Sequence, residues 1–163
     1  MKTSASPSAK IDPRKVAAIR LVFGGVWAID AAFKCTPMFY RMLMQNVQGA
    51  AVGMPAWLGW WFNFWQRVIS VQPHAAAVGV AVAECAIALS LLLGIFRRTM
   101  YIFGGAFALL IWAVGEAFGG PYSSMSTDIG TGCIYTVVFA LLFVTDVTPT
   151  WTLGARFLAK KNS

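Results

Sequence analysis

Long apolar runs separated by short polar stretches dominate the chain. Four of these runs, residues 16–33, 73–96, 99–118 and 129–147, come close to or exceed the roughly 20 residues that a helix needs to cross the hydrocarbon of a bilayer. A backbone in lipid has to satisfy its own hydrogen bonds, which a helix does within one segment. The pattern therefore predicts an all-α membrane protein, a four-transmembrane-helix bundle over residues 16–147.

A different pattern occupies residues 36–72, between the first and second spans. Four of the seven tryptophans lie between Trp57 and Trp65, in the stretch PAWLGWWFNFWQRVI. Tryptophan favours the boundary between headgroups and hydrocarbon, so this segment predicts a short interfacial helix lying flat on the outer leaflet. Residues 148–163 are basic and amphipathic and predict a short interfacial helix on the cytoplasmic side, whereas residues 1–15 are a polar cytoplasmic segment.

Composition and charge indicate that lipid is the main partner. The chain is 58% hydrophobic and 12% charged, and these two fractions lie outside the usual range of soluble domains. Its net charge is +7. Its basic residues lie at the ends of the apolar runs and form no stripe with interleaved aromatics, which argues against a nucleic-acid partner. Basic clusters before the first span, at Arg97 and Arg98, and after the fourth span predict that both termini are cytoplasmic.

Ionisable residues inside the apolar runs are the first candidates for function, because a charge at the bilayer centre costs at least about 2.5 kcal/mol. Alternating helix directions place Arg20 as the one charged group in the inner half of the spans. The others fall at the centre or in the outer half: Asp30, Lys34, Glu84, Glu116 and Asp128. Acids outnumber the base in this outer acid cluster, and in a low dielectric an unpaired carboxyl group is more stable when neutral.

Two interpretations of the outer acid cluster stay open. Poised carboxyl groups suit proton uptake or release beside a redox or transport site, and on that hypothesis the candidate catalytic residues are Asp30, Glu84, Glu116 and Asp128. Alternatively, Asp30 pairs with Lys34 four residues later, and Glu84 pairs with a hydroxyl or backbone group, only to hold the bundle together.

The connection over residues 115–132, GEAFGGPYSSMSTDIGTG, is the most patterned part of the chain. Gly119 and Gly120 predict a turn, and Ser126 or Thr127 is expected to cap the fourth helix. The free N–H groups at the start of a helix favour an anion, although an ordinary turn between two helices explains the same pattern.

Small residues and cysteines complete the inventory. Small residues recur in the spans and predict close contacts between helices, among them Gly24, Gly25, Gly79, Gly104 and Gly132. The three cysteines are isolated, so they indicate neither a disulfide framework nor a metal cage. Cys35, beside Lys34, is open to two interpretations, a reactive thiol or an inert residue, and Cys85 and Cys133 are interpreted as small core fillers.

Four segments together resemble a known family. They are RLVFGGVWAIDAAFK, PAWLGWWFNFW, AVAECAIALSLLLGIFRR and IWAVGEAFGGPYSSMSTDIGTGCIYTVVFALLF, and they extend over residues 20–143. The chain resembles the DoxX-like family of small four-helix membrane proteins, with a closer likeness to the DoxD type, the membrane subunit of thiosulfate:quinone oxidoreductase. The resemblance implies a protein of a bacterial or archaeal plasma membrane that oxidises thiosulfate to tetrathionate on the outer side and passes electrons to a quinone.

That implied reaction selects further candidates. Thiosulfate is a dianion and needs cations, for which Lys34, Arg41 and Arg67 are available. The remaining candidates for contact with substrate are Tyr122, within the most specific segment of the resemblance (residues 115–130), and Trp112, just before it.

A quinone, the expected co-substrate, needs an apolar slot open to the bilayer and a proton partner, which Trp27, Trp112, Glu84 and Glu116 can provide. The sequence contains no haem-ligand pair, flavin fingerprint, iron–sulfur spacing or metal motif. Electron transfer is therefore expected to use the quinone directly or a cofactor on a partner subunit.

Two other functions compete with this one. The first is a non-catalytic accessory subunit that packs against a larger respiratory or sulfur-metabolising complex, or against a second membrane or outer-side subunit. The second is a small-solute or anion carrier. A carrier needs a polar path through both leaflets, and Arg20 alone in the inner half does not indicate one.

Overall fold

The computed structural model describes residues 11–120 and 129–153, and within these ranges the chain forms helices and no strand. The α-helices are α1 (Pro13–Lys34), α2 (Pro37–Ala50), α3 (Gly59–Val71), α4 (Pro73–Leu93), α5 (Arg97–Val114) and α6 (Thr131–Thr145). Two of them, α1 and α4, are long and apolar enough to cross a membrane, and α6 is a shorter apolar helix. The expectation of an all-α protein is confirmed, and the number of helices that cross a bilayer stays a prediction.

The helix boundaries follow local signals. Asp12 caps α1 by accepting a hydrogen bond from the Arg14 N–H at 2.9 Å, and Pro13 takes the first helical position. The helix α4 ends before Gly94, whose φ of 68° is the left-handed conformation that favours glycine. Because α5 begins at Arg97, α4 and α5 form a tight hairpin.

Four helices pack as two antiparallel pairs. The Arg20 guanidinium near the start of α1 donates to the Leu91 carbonyl near the end of α4, so α1 and α4 run in opposite directions. On the other pair, Arg97 at the start of α5 lies 2.6 Å from Asp146 just after α6. An aromatic core joins the pairs, with the ring centroids of Phe23 and Phe139 4.9 Å apart.

Glycines allow the close contacts within these pairs. A Cβ at Gly132 would lie 2.6 Å from the Ala108 carbonyl oxygen, and one at Gly104 would collide with the Phe139 ring. A Cβ at Gly24 would lie 3.0 Å from the Leu91 Cβ. Close packing, as the sequence predicts, is confirmed at these three glycines, whereas Gly25 and Gly79 face open space.

Residues 36–72 differ most from the expectation of one short helix. They form a helical hairpin, α2 and α3, and the Thr36 side chain caps α2 by accepting from the Phe39 N–H. Leu43 and Val47 of α2 pack with residues of α4 and α5 in a second apolar core. The hairpin therefore covers the bundle, and whether it also touches the outer leaflet stays a prediction.

The C-terminal segment begins against the bundle. The carbonyl groups of Thr150 and Trp151 accept hydrogen bonds from Arg20 at 3.2 and 3.1 Å. The rest of the predicted cytoplasmic helix, residues 154–163, lies outside the described residues.

Candidate functional site

A cavity of about 720 Å³ lies between the α2–α3 hairpin and the helices α4 and α5. Its wall is mainly apolar and includes side chains from all four of these helices, among them Leu43, Trp65, Ile69, Val80 and Leu110. Three charged side chains also line it: Lys34, Glu84 and Glu116. The volume falls within the range of about 300–1,000 Å³ that is typical of sites for small molecules.

Three of the ionisable residues of the outer acid cluster form a chain across α1 and α4. Lys34 Nζ donates to Asp30 Oδ1 at 3.0 Å, and it lies 4.0 Å from Glu84 Oε1. The side chains of Asp30 and Lys34 are 34% and 26% exposed, whereas that of Glu84 is fully buried. These three side chains therefore lead from the partly exposed Asp30 to the buried Glu84. The Lys34 ammonium group lies closer to Asp30 than to Glu84.

Glu84 is the most unusual side chain of the cavity. Among the described residues neither of its carboxyl oxygens has a hydrogen-bond partner, and the indole N–H of Trp65, a cavity residue on α3, also lacks an acceptor. A buried polar group left without a partner costs about 1–3 kcal/mol. Both residues line the same cavity, which makes it the candidate site for a ligand.

Glu116 lines the same cavity and caps α6. The Thr131 hydroxyl donates to its Oε1, and the Gly132 N–H donates to its Oε2 at 3.0 Å. The carboxylate therefore lies at the positive end of the α6 dipole. The anion expected at this helix start is thus supplied by the chain itself, while Ser126 and Thr127, the expected caps, lie outside the described residues.

Trp112 supports this cap and does not line the cavity wall. Its indole N–H donates to the Ile129 carbonyl at 2.6 Å, and its ring meets that of Phe118 edge to face at 5.3 Å. Gly130, with a φ of 98°, fits between them, because a Cβ there would lie 2.5 Å from Glu116 Oε2 and 2.9 Å from Trp112 Cδ1. Trp112 thereby fixes the segment that leads into α6.

The remaining candidates lie elsewhere. Trp27 is fully buried in the aromatic core and is not part of the cavity wall. Arg41 and Arg67 are exposed on α2 and α3, and neither forms an ion pair with an acid of the described chain. Asp128 and Tyr122 lie outside the described residues, so their predicted roles stay predictions.

The inner end of the bundle corrects one expectation. Arg20 is not the one charged group there, because Asp146 and Arg97 lie beside it. Arg20 Nε is 3.5 Å from Asp146 Oδ2, Arg97 Nη1 donates to Asp146 Oδ1 at 2.6 Å, and the Tyr101 hydroxyl donates to Asp146 Oδ2. The sequence signal for this network is Asp146 itself, an acid at the end of the fourth apolar run, whose inner end lies on the same side as two basic clusters.

Two cysteines also meet in a way that their spacing does not indicate. The sulfur atoms of Cys35, at the end of α1, and Cys85, in the middle of α4, are 3.9 Å apart. Both thiols are free, and so is that of Cys133 on α6.

The cavity can therefore hold a molecule with an apolar body and polar groups that pair with a carboxyl group and an indole N–H. No family model, curated protein or solved structure matches the chain. The resemblance to DoxX-like proteins accordingly rests on the sequence segments alone.

Proposed function

We propose that the chain is a four-span membrane protein that binds a quinone in the cavity beside Glu84 and serves as the membrane subunit of a redox system. Its resemblance to the DoxD-type subunit of thiosulfate:quinone oxidoreductase points to the same class of reaction. The observation that carries the proposal is the apolar cavity with a fully buried carboxyl group and an indole N–H that lack partners among the described residues.

The outward faces of the helices support lipid as the solvent. From Ile19 onward the exposed side chains of α1 are all apolar, and the large ones repeat every three or four residues: Ile19, Val22, Val26, Ile29 and Phe33. A matching stripe on α6 comprises Ile134, Val137, Leu141 and Val144. A helix of a soluble protein carries polar residues on this face, so both stripes favour contact with lipid tails.

The chemistry of the cavity suits a quinone. A quinone ring is flat and apolar and has two carbonyl oxygens, which accept hydrogen bonds. The Trp65 N–H and a neutral Glu84 carboxyl group supply donors for these oxygens, and the apolar wall accommodates the ring. Reduction to the quinol consumes two protons, and Asp30 with Lys34 provides a partly exposed start for proton transfer to Glu84.

Thiosulfate is the electron donor that the resemblance implies. Arg41 and Arg67, which are exposed on the hairpin, are cations available to a dianion. The α6 N-terminus, in contrast, is already occupied by Glu116. We therefore place the anion at the hairpin and not at the start of α6.

Quinone binding is tested with decylubiquinone and the purified chain in lipid nanodiscs, by isothermal titration. Trp65→Phe removes one hydrogen bond, worth about 0.5–1.5 kcal/mol, and should weaken binding by roughly 2- to 12-fold. Trp60→Phe is the matched control, since Trp60 lies on the same helix but is 67% exposed. Equal affinities in both variants, or no binding by the folded chain, would refute the proposed site.

Electron transfer is tested separately, with thiosulfate and a verified partner subunit. Glu84→Gln should lower the rate of quinone reduction at least tenfold while leaving decylubiquinone bound, because the amide cannot deliver a proton. Asp12→Asn, which removes an exposed acid but keeps a good helix cap, should retain full activity. Undiminished activity of a complex containing Glu84→Gln would favour the accessory-subunit hypothesis.

A further inference from the structure

The cysteines of the chain divide into a pair and a single residue. Cys35 and Cys85 come from different helices and have their sulfur atoms 3.9 Å apart, within van der Waals contact. Cys35 is exposed, so reagents can reach the pair, and Cys85 is half-buried beneath it. Cys133 lies on α6 and does not take part in this contact.

Neither cysteine is part of the cavity wall, but each directly follows a residue that is. Lys34 and Glu84, which line the cavity, directly precede Cys35 and Cys85 in the sequence and are themselves 4.0 Å apart. The last residue of α1 and the residue after it therefore meet two consecutive positions of α4. A molecule held beside Lys34 and Glu84 is one residue away in sequence from each thiol.

We propose that Cys35 and Cys85 form a redox-active thiol pair that gives two electrons to the quinone in the cavity. This inference rests on the proposed function, since it names the group that passes electrons directly to the quinone at the same site. In the step, the two S–H bonds break and one S–S bond forms. The two electrons and two protons pass to the two quinone oxygens, so a dithiol and a quinone become a disulfide and a quinol.

The geometry permits this step with little movement. A disulfide requires the sulfur atoms to approach to about 2.05 Å. Cys35 follows the last residue of α1, with a φ of −79° and a ψ of 6°, so its side chain can turn without unwinding the helix. A dithiol also matches a quinone in stoichiometry, because each exchanges two electrons and two protons.

The experiment uses the full chain in lipid nanodiscs, reduced with a phosphine, freed of reductant without oxygen, and mixed with decylubiquinone. After free thiols are alkylated, peptide mass spectrometry should find Cys35 joined to Cys85 and Cys133 alkylated. One quinol should form per chain. Cys35→Ser and Cys85→Ser should each lower quinol formation at least tenfold, and Cys133→Ser is the matched control that should leave it unchanged.

The outcomes separate this inference from the function on which it rests. If titration shows that decylubiquinone binds but Cys35 and Cys85 are both recovered as alkylated free thiols, the redox role of the thiol pair is overturned. The quinone site is then still supported. Absence of quinone binding in every variant overturns the proposed function. Failure to link Cys35 to Cys85 even with the thiol oxidant diamide, in a chain that binds quinone, overturns the pairing itself.

Discussion

Two buried carboxyl groups of this protein, those of Glu84 and Asp146, have opposite surroundings. Asp146 accepts hydrogen bonds from Arg97 and Tyr101 and lies 3.5 Å from Arg20, whereas Glu84 has no hydrogen-bond partner among the described residues. A buried acid whose oxygens are fully paired holds a fold together, whereas one without hydrogen-bond partners costs stability and is a candidate for ligand binding. We therefore interpret Asp146 as structural and propose that Glu84 is functional.

This contrast predicts different effects of replacing each acid with its amide. Asp146→Asn leaves the fully buried Arg20 without its counter-charge, and breaking such a pair costs about 3–5 kcal/mol. Glu84→Gln loses no hydrogen bond within the described chain and replaces a neutral carboxyl group with a neutral amide of the same size, so the free energy of unfolding should stay nearly equal. Denaturant titration in detergent checks the order of the two variants. The interpretation fails if Glu84→Gln is the less stable protein.

The cap of α6 gives a second prediction for a single residue. Gly130→Ala puts a Cβ 2.5 Å from Glu116 Oε2 in a backbone with a φ of 98°, so Glu116 has to leave Gly132. We expect a loss of about 2 kcal/mol or more from the left-handed strain and the lost charged hydrogen bond. Gly25→Ala, which faces open space in α1, should be neutral or stabilising by thermal unfolding in detergent. Comparable melting temperatures would show that the cap contributes little.

At the scale of helices, the long apolar ones could be predicted and the amphipathic one could not. Hydropathy placed the first span at residues 16–33, and α1 is Pro13–Lys34. Hydropathy does not predict α2, because Leu43 and Val47, its buried residues, are separated by polar ones. Its start could be predicted, since Thr36 followed by Pro37 is a helix start signal. Since α2 and α3 build half of the cavity wall, the cavity was missed with it.

The same limit applies to the candidate site. Alternating helix directions correctly brought Asp30, Lys34 and Glu84 together, because depth in a bundle follows from position along each span. Contacts between side chains at the same depth, such as that of Cys35 with Cys85, depend on the rotation and tilt of each helix. The hydropathy pattern does not specify either quantity.

The α5–α6 pair provides a prediction at this scale. Gly104→Ala drives a Cβ into the Phe139 ring, which is 1% exposed and cannot move away, so the two helices have to separate. We expect a loss of about 1–3 kcal/mol, the usual cost of overpacking. Gly79→Ala on α4, with open space around it, should be unchanged or more stable. Thermal unfolding of the two variants in the same detergent makes the comparison, and equal losses would count against a tight α5–α6 contact.

For the whole molecule, the proposed four-span arrangement competes with one in which only α1 and α4 cross the bilayer. The helices α5 and α6 have 18 and 15 residues, which corresponds to roughly 27 and 22 Å at the usual rise of an α-helix. Both are shorter than the hydrocarbon thickness of about 30 Å, whereas α1 and α4 match it. The outward faces of α5 and α6 nevertheless expose apolar side chains, which favours contact with lipid over contact with water.

Single cysteines in a chain with Cys35, Cys85 and Cys133 changed to serine distinguish the two arrangements. With four spans, Val52→Cys and Ser124→Cys lie outside and react with an impermeant maleimide on intact cells, whereas Thr3→Cys reacts only after lysis. With two spans, the connection that contains Ser124 stays in the cytoplasm and is labelled only after lysis, while Val52→Cys is labelled as before. We expect the first result, because Arg97 and Arg98 favour the cytoplasmic side at the α4–α5 turn and residues 115–132 contain no Lys or Arg to hold them there. Protection of Ser124→Cys would remove α5 and α6 from the hydrocarbon, and a cavity lined by α5 would then no longer open to a lipid-soluble quinone.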